Sequence, residues 1–262
     1  MKTALKSYDL LGFKITPMTI EQIIDAMGDM VATGSTRVIA SLNLHAIYCF
    51  FKDPRFRELH LRDDTLVRID GMPIILTGRL AGLPVTRKHR TVWLDWFPLV
   101  LEHAARNGWR VYYMGSKQDA FEKGLARFRE MHPTLLIEGR DGFFDARPGS
   151  TENAAVVETI NAFRPNLLVV GMGMGRQEHW ILDNIGALNA NCIITVGALI
   201  EYFAGTVPTP PRWTGRMGLE WAYRFCTNPR RFTFRYLIEP WLMVWLIAVY
   251  NVRRGLGLKH PE

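Results

Sequence analysis

The sequence predicts an α/β fold, a Rossmann-like parallel sheet flanked by helices, with a helical appendage at the C-terminal end. Two observations predict the sheet. Short runs that are apolar throughout alternate with amphipathic segments of about 10–15 residues, the pattern of strands covered on both faces by helices. Glycine and small polar residues follow the apolar runs, at the end of the strands where such sheets bind ligands. A third observation, a change in composition near residue 208, predicts the appendage.

Caps and apolar runs predict the first elements of the core. The capping-box pattern T-I-E-Q at Thr19 starts a helix that continues to about Ala32. The runs RVIASL and TLVRI predict strands over Arg37–Leu42 and Thr65–Ile69, with a helical stretch through Phe51 between them.

The rest of the core continues this alternation, and NLLVV is its most apolar run. The predicted elements are a helix from about Asp95 to Asn107, strand Trp109–Met114, helix Gln118–Met131, strand Thr134–Gly139, a helix over about Glu152–Phe163, strand Asn166–Val170, helix Gln177–Leu188 and strand Cys192–Val196.

Charge and composition divide the chain into a core over residues 1–207 and an appendage over residues 208–262. The net charge is +7, and +6 of it lies from Arg212 onward, together with four of the eight tryptophans. A basic, tryptophan-rich segment indicates an anionic partner. The apolar run Trp241–Tyr250 is shorter than the roughly 20 residues that cross a bilayer. Three widely spaced cysteines favour a reducing compartment.

Residues after five predicted strands form the candidate site. They are Ser41 and Asn43, Asp70-Gly71, Gly115-Ser116, the segment Gly171–Glu178, and Gly197-Ala198. Glycines let backbone amides approach phosphate oxygens, and a following helix N-terminus favours negative charge. This edge of the sheet is therefore predicted to hold a phosphorylated ligand.

Several of these residues have more than one interpretation. The loop Gly171–Gly175 could bind a dinucleotide or only form a tight turn, and its glycine spacing departs from the dinucleotide fingerprint. Asp70 could be a general base or a turn residue before Gly71. No second carboxylate forms a metal-binding pair with Asp70, and the seven histidines form no ligand pattern, so no metal or cofactor site is predicted.

A set of motifs in fixed order carries a resemblance to one family. The motifs are Asn43, Asp70-Gly71, Arg90 with Asp95, Gly142-Phe-Phe144, Gly173-Met-Gly-Arg-Gln-Glu178, Gly197–Gly205, Gly218–Arg224 and Asn228-Pro-x-Arg231. From roughly residue 10 to residue 240 the chain resembles the WecG/TagA/CpsF glycosyltransferases.

The resemblance implies an inverting, metal-independent transfer of a sugar from a UDP-sugar to a polyprenyl-diphosphate-linked sugar. It places this reaction in exopolysaccharide or cell-envelope polysaccharide assembly on the cytoplasmic face of the plasma membrane, where the appendage binds. It also implies that the protein can self-associate in solution when the appendage is not engaged. The donor, glucose or an N-acetylmannosamine sugar, stays open.

The resemblance also implies residue roles. Asp70 is the base that deprotonates the acceptor hydroxyl, and Arg90 stabilises the departing diphosphate, as a metal-independent reaction requires. The remaining implied substrate-binding residues are Ser41 (where the family often has Thr), Asn43, Gly173, Gln177, Glu178, Glu201 (where many relatives have Asp), Arg224 and Arg231.

Two other functions stay open from the sequence. One is a nucleotide-dependent oxidoreductase built on the glycine-rich loop, and the other is a non-catalytic module that binds membrane through the basic appendage. Nucleic acid is not an expected partner, because the basic residues of the appendage alternate with a hydrophobic run.

Overall fold

The computed structural model describes residues 5–211, 213–214, 220–241, 244–245, 248–249 and 252, with the backbone alone at residues 220, 231, 232, 235 and 236. The strands are β1 (Tyr8–Leu10), β2 (Phe13–Ile15), β3 (Arg37–Leu42), β4 (Thr65–Ile69), β5 (Arg110–Gly115), β6 (Leu136–Arg140), β7 (Leu167–Gly171) and β8 (Cys192–Thr195). The core helices are α1 (Ile20–Thr33), α2 (Leu44–Lys52), α3 (Pro54–Leu61), α4 (Met72–Leu80), α5 (Trp93–Arg106), α6 (Gln118–Met131), α7 (Thr151–Phe163), α8 (Arg176–Asn184) and α9 (Leu199–Phe203), with a 3₁₀ turn at Arg87–His89.

The eight strands form one sheet in the order β1-β2-β4-β3-β8-β7-β5-β6. Only β1 and β2 pair antiparallel, and every other neighbouring pair in this sheet is parallel. The predicted fold class is therefore confirmed. Register brings strand ends level with each other, since Leu42 pairs with Ile69 and Gly115 with Gly171.

The elements with strong local signals occur where the sequence predicted them, within a few residues at their ends. The Thr19 cap forms as a full capping box, in which Gln22 N donates to Thr19 Oγ1 and Gln22 Oε1 accepts from Thr19 N at 2.9 Å. β3, β4 and α6 have the predicted bounds.

Several short elements were not predicted: the β1–β2 hairpin and the helices α3, α4 and α9. The hairpin strands have three residues each, too few to show a period. Its turn places Leu11 at φ +58° and Gly12 at φ +86°, and two left-handed residues give the turn whose twist matches paired strands.

Helices cover both faces of the sheet and bury separate clusters of apolar side chains. One face packs α1, α5 and α6 around Trp96 and Phe128, and the other packs α7 and α8 around Trp180. A buried polar network fixes this second face. Trp180 Nε1 donates to Asn153 Oδ1 at 2.7 Å, Asn153 Nδ2 to Asn184 Oδ1 at 2.8 Å, and Asn184 Nδ2 to Trp180 O at 2.7 Å.

Most of the described part of the appendage is helical. It contains α10 (Glu220–Thr227), α11 (Pro229–Thr233) and a π-helical turn at Phe234–Ile238. It contacts α2, where His45 Nδ1 lies 2.6 Å from Glu239 Oε1 and Tyr48 packs edge-on against Phe234. Among the described residues, no helix is long and apolar enough to cross a bilayer. The division at residues 207 and 208 stays a prediction.

Candidate active site

A cavity of about 1010 Å³ opens where the parallel strands end. Its lining includes residues at or just after the carboxyl ends of five strands: Ser41, Asn43, Asp70, Gly71, Ser116, Gly171, Gly173, Thr195 and Gly197. Trp221, Arg224 and Pro240 of the appendage line it as well. The structure thus gathers most of the predicted site residues into one space, with the appendage as part of its wall.

Glycines at neighbouring strand ends allow the backbones at this edge of the sheet to lie close together. A Cβ on Gly115 would lie 2.4 Å from Gly171 O, and a Cβ on Gly171 would lie 2.7 Å from both Gly197 O and Tyr113 Oη. Tyr113 Oη in turn accepts from Ile200 N at 3.2 Å, which ties β5 to α9. These two glycines are therefore required by close packing of the strand ends.

The glycine-rich loop after β7 has a different requirement. Gly173 and Gly175 adopt φ +90° and +88°, which only glycine adopts readily, and no atom would lie near an added Cβ at either residue. The loop turns the chain from β7 into α8, and Gly173 lines the cavity.

Asp70 lies immediately after β4 with its side chain 21% exposed to the cavity. Arg68 lies two residues earlier on the same face of the strand, and its Nη2 is 3.7 Å from Asp70 Oδ2. Arg68 is completely buried, and burial lowers the pKa of its guanidinium to about 10 although the Asp70 charge opposes this. A fixed positive charge therefore stands behind the candidate base.

Ser41 belongs to the same buried group. Its Oγ accepts from Arg68 Nη2 at 2.7 Å and from Trp93 Nε1 at 3.1 Å, and donates to Thr195 O at 3.3 Å. The Ser41 hydroxyl thus makes all of its possible hydrogen bonds, two accepted and one donated, within the protein. Ser41 lines the cavity as part of its floor, and its hydrogen bonds join β3, β4, β8 and α5.

Among the described residues, the cavity lining carries more cations than carboxylates. Its charged members are Arg87, Arg90, Arg176 and Arg224 against Asp70 and Glu201. Arg90 is largely buried and forms an ion pair with Asp95 at 3.6 Å, across the start of α5. Arg176 donates to Phe144 O at 3.0 Å and lies over the ring of Phe143. Such a lining favours an anionic ligand.

Asn43 and Gln177 line the cavity, and their side chains also accept hydrogen bonds from backbone N–H groups. Asn43 caps α2, since its Oδ1 accepts from Ala46 N at 3.0 Å. Gln177 Oε1 accepts from Gly197 N at 3.1 Å and so ties the first turn of α8 to the loop after β8. These bonds fix the orientation of both amides at the cavity wall.

Glu178 does not line the cavity. It is 1% exposed, and its two carboxylate oxygens accept from Gln177 Nε2 at 2.7 Å and from Gly175 N at 2.6 Å. Burial raises the pKa of Glu178 to about 7, against the opposing effect of these hydrogen bonds. The structure places Glu178 behind the glycine-rich loop, where it holds the loop in shape.

Two predicted site residues of the C-terminal part face the cavity, and a third lies outside the described side chains. Glu201 accepts from Ser116 Oγ at 3.1 Å, which links α9 to the end of β5. Arg224 of the appendage lies over the ring of Tyr202, with its guanidinium carbon 5.4 Å from the ring centroid. Arg231 lies within α11, and its side chain is outside the described part of the chain.

Sequence reasoning missed Arg68, Trp93 and Tyr202. The sequence did contain a signal for Arg68, the only charged residue in the strand TLVRI. A charged side chain in a buried strand either has a polar partner or lowers the stability of the fold. Trp93 and Tyr202 gave no such signal, since an aromatic residue in an amphipathic helix usually belongs to the core. In the part of the chain that the structure describes, no three His, Cys, Asp or Glu side chains form a cluster able to hold a metal ion.

A parallel sheet with an arginine-rich cavity at its carboxyl edge defines the class, an α/β protein with a site for an anionic ligand. The chain belongs to the glycosyl transferase WecG/TagA/CpsF family, whose sequence profile matches residues 8–256. It is a glycosyltransferase, which decides against both the oxidoreductase and the non-catalytic module as alternatives.

Relatives in Staphylococcus aureus strains NCTC 8325, COL and MRSA252 are similar over most of the chain. Each is 23% identical over 225 residues, which cover 85% of this chain and 85% of the relative. All three are named N-acetylglucosaminyldiphosphoundecaprenol N-acetyl-beta-D-mannosaminyltransferase.

Proposed function

We propose that the enzyme transfers a hexose or N-acetylhexosamine from a UDP-sugar to a polyprenyl-diphosphate-linked sugar, with inversion and without a metal ion. One observation carries the proposal: a single cavity contains the Asp70 carboxylate and four arginines. The relatives' names support the acceptor class, since they specify a sugar on diphosphoundecaprenol. The product belongs to exopolysaccharide or cell-envelope polysaccharide assembly.

The reaction is a single displacement at the anomeric carbon of the donor. The acceptor hydroxyl oxygen bonds that carbon while its proton passes to the Asp70 carboxylate. The bond from the anomeric carbon to the β-phosphate oxygen breaks, and its electron pair leaves with UDP. Arginines near the departing diphosphate stabilise the charge that develops there, the task assigned to Arg90.

Replacement of the proposed base tests this mechanism. Asp70→Asn keeps the side-chain volume but removes the proton acceptor, so kcat should fall about 10²- to 10⁴-fold. Asp63→Asn is the matched control, because Asp63 lies fully exposed on the surface in an ion pair with Lys14. Near-normal transfer by a folded Asp70→Asn enzyme would assign the base to another residue.

Replacement of Arg90 tests stabilisation of the leaving group. Arg90→Met should lower kcat about 100-fold or more, since a diphosphate that leaves without a metal needs cations. Arg106→Met, an exposed change on the same helix as Asp95, provides the control. Equal kcat for Arg90→Met and wild type would remove Arg90 from the mechanism.

A donor panel with EDTA identifies the substrates. We expect one radiolabelled UDP-sugar, among UDP-glucose, UDP-N-acetylmannosamine and its uronic acid, to label a polyprenyl-diphosphate-sugar acceptor. EDTA should leave the rate unchanged. Loss of transfer in EDTA that Mg²⁺ restores would contradict metal independence, and no product from any donor would contradict the donor class.

We propose further that the enzyme works as a peripheral protein on the cytoplasmic face of the plasma membrane. Trp241 and Trp245 support this proposal, because their side chains are 75% and 60% exposed on the basic appendage, where interfacial indoles favour lipid headgroups. Substitution of both by Ser should reduce sedimentation with anionic vesicles. Leu136→Ser, at an exposed residue of β6, is the control, and equal binding by all three proteins would move the membrane contact elsewhere.

A further inference from the structure

Arg68 is a buried cation in a position that costs the protein stability. Its side chain is completely buried, and its Nε has no hydrogen-bond partner among the described residues. A desolvated guanidinium with an unused N–H is unfavourable for folding alone, and an apolar residue in β4 would avoid that cost. Buried ionisable groups of this kind concentrate at functional sites.

The surroundings of Arg68 hold the guanidinium in one place. Nη2 donates to Ser41 Oγ at 2.7 Å and Nη1 to Thr91 Oγ1 at 3.4 Å. The guanidinium carbon lies 4.3 Å from the ring centroid of Trp93, and Trp93 itself stacks on Trp96. A cation that is anchored on three sides has little freedom to move when the cavity fills.

The fourth side of the guanidinium faces Asp70. Nη2 lies 3.7 Å from Oδ2, which is an ion pair beyond hydrogen-bond length. No described residue donates a hydrogen bond to the Asp70 carboxylate. The carboxylate is therefore attracted by Arg68 from the protein side, and it lines the cavity without a hydrogen bond from a described residue.

We propose that Arg68 is a positioning residue for Asp70. Its guanidinium attracts the carboxylate from one side and so orients it in the cavity, where the carboxylate accepts the proton of the acceptor hydroxyl. Arg68 stays protonated throughout, and it acts through Asp70 without touching either substrate. The inference rests on the proposed role of Asp70 as base and adds the residue that prepares it.

Steady-state kinetics of the full-length chain test this role through kcat and KM separately. Arg68→Met removes the charge, and kcat should fall about 100-fold while KM for the UDP-sugar stays unchanged, because orientation of the base affects only the chemical step. Arg68→Lys keeps a cation without the planar fork and should recover most of this loss, to about tenfold below wild type.

Arg110→Met is the matched control. Arg110 also stacks on an aromatic ring, with its guanidinium carbon 4.3 Å from the Phe163 centroid, but at the amino end of β5 and outside the cavity lining. Its kcat should equal wild type. Circular dichroism and Tm identify any variant that fails to fold. If Arg68→Met fails to fold, the kcat of Arg68→Lys alone tests the inference.

Two results would overturn the inference. One is a folded Arg68→Met or Arg68→Lys enzyme with kcat within about threefold of wild type. The other is a rise in KM at constant kcat, which would make Arg68 a donor-binding residue. Failure of the base proposal is separate, since it would appear as activity in Asp70→Asn, whatever Arg68 does.

Discussion

His60 should make the stability of this protein fall in mild acid. It lies on α3, completely buried, with its ring stacked 4.2 Å from that of Phe56 and its Nδ1 2.8 Å from Phe56 O. Burial lowers the pKa of His60 from 6.5 to about 4, and the hydrogen bond to Phe56 opposes this only in part. The folded protein thus holds this imidazole neutral.

The sign and size of the effect follow from proton linkage. Between pH 6.5 and pH 4 the unfolded chain binds a proton at His60 more readily than the folded chain. The free energy of unfolding therefore decreases as pH falls through this window, by about 3 kcal/mol between pH 7 and pH 4. For a protein of this size that amounts to a fall in Tm of about 6–12 °C from His60 alone.

His60→Phe removes the titrating group and keeps an aromatic ring against Phe56. Urea unfolding of wild type and variant at pH 7 and at pH 4 measures the change in free energy for each protein. The wild-type change should exceed the variant's change by about 3 kcal/mol, whatever the two proteins' stabilities at pH 7. Equal changes for both proteins would show that His60 is protonated without cost in the folded state.

Three other substitutions test packing in the protein. Gly171→Ala places a Cβ 2.7 Å from Gly197 O, so it should lower the free energy of unfolding in urea by about 1–3 kcal/mol and reduce transfer activity. Gly186→Ala is the control, because no atom lies near its added Cβ, and its stability and activity should stay close to wild type. Trp180→Phe leaves the buried Asn153 Oδ1 without its 2.7 Å donor and should cost about 1–3 kcal/mol; an unchanged urea midpoint would show that the network contributes nothing net. His45→Ala leaves the Glu239 carboxylate, which is 1% exposed, without the imidazole nitrogen that lies 2.6 Å from its Oε1. Trypsin should then cleave the appendage faster, and Glu239→Leu in the same background should restore resistance. Equal cleavage of all three proteins would mean that this pair does not hold the appendage to α2.

The sequence alone determined the longer strands and helices of the core and the edge of the sheet where the site forms. A run such as RVIASL or NLLVV is buried whichever neighbours it acquires, so its pattern is sufficient to predict a strand. Parallel strands bring their carboxyl ends to one edge, and for that reason the sequence predicts Asp70, Asn43 and Gly173 at the same edge of the sheet. The short hairpin and α4 lacked a period long enough to predict them.

Only the tertiary structure decided what each side chain does at that edge. Ser41, Arg68 and Trp93 come from three elements and meet because β3 pairs with β4 and α5 packs across both. Glu178 faces away from the cavity because its carboxylate satisfies the backbone of its own loop. Gly171 is required by the closeness of β8, a distance that strand pairing sets and local sequence does not encode. Local patterns record which residues are buried, but hydrogen-bond partners depend on contacts between residues far apart in the chain.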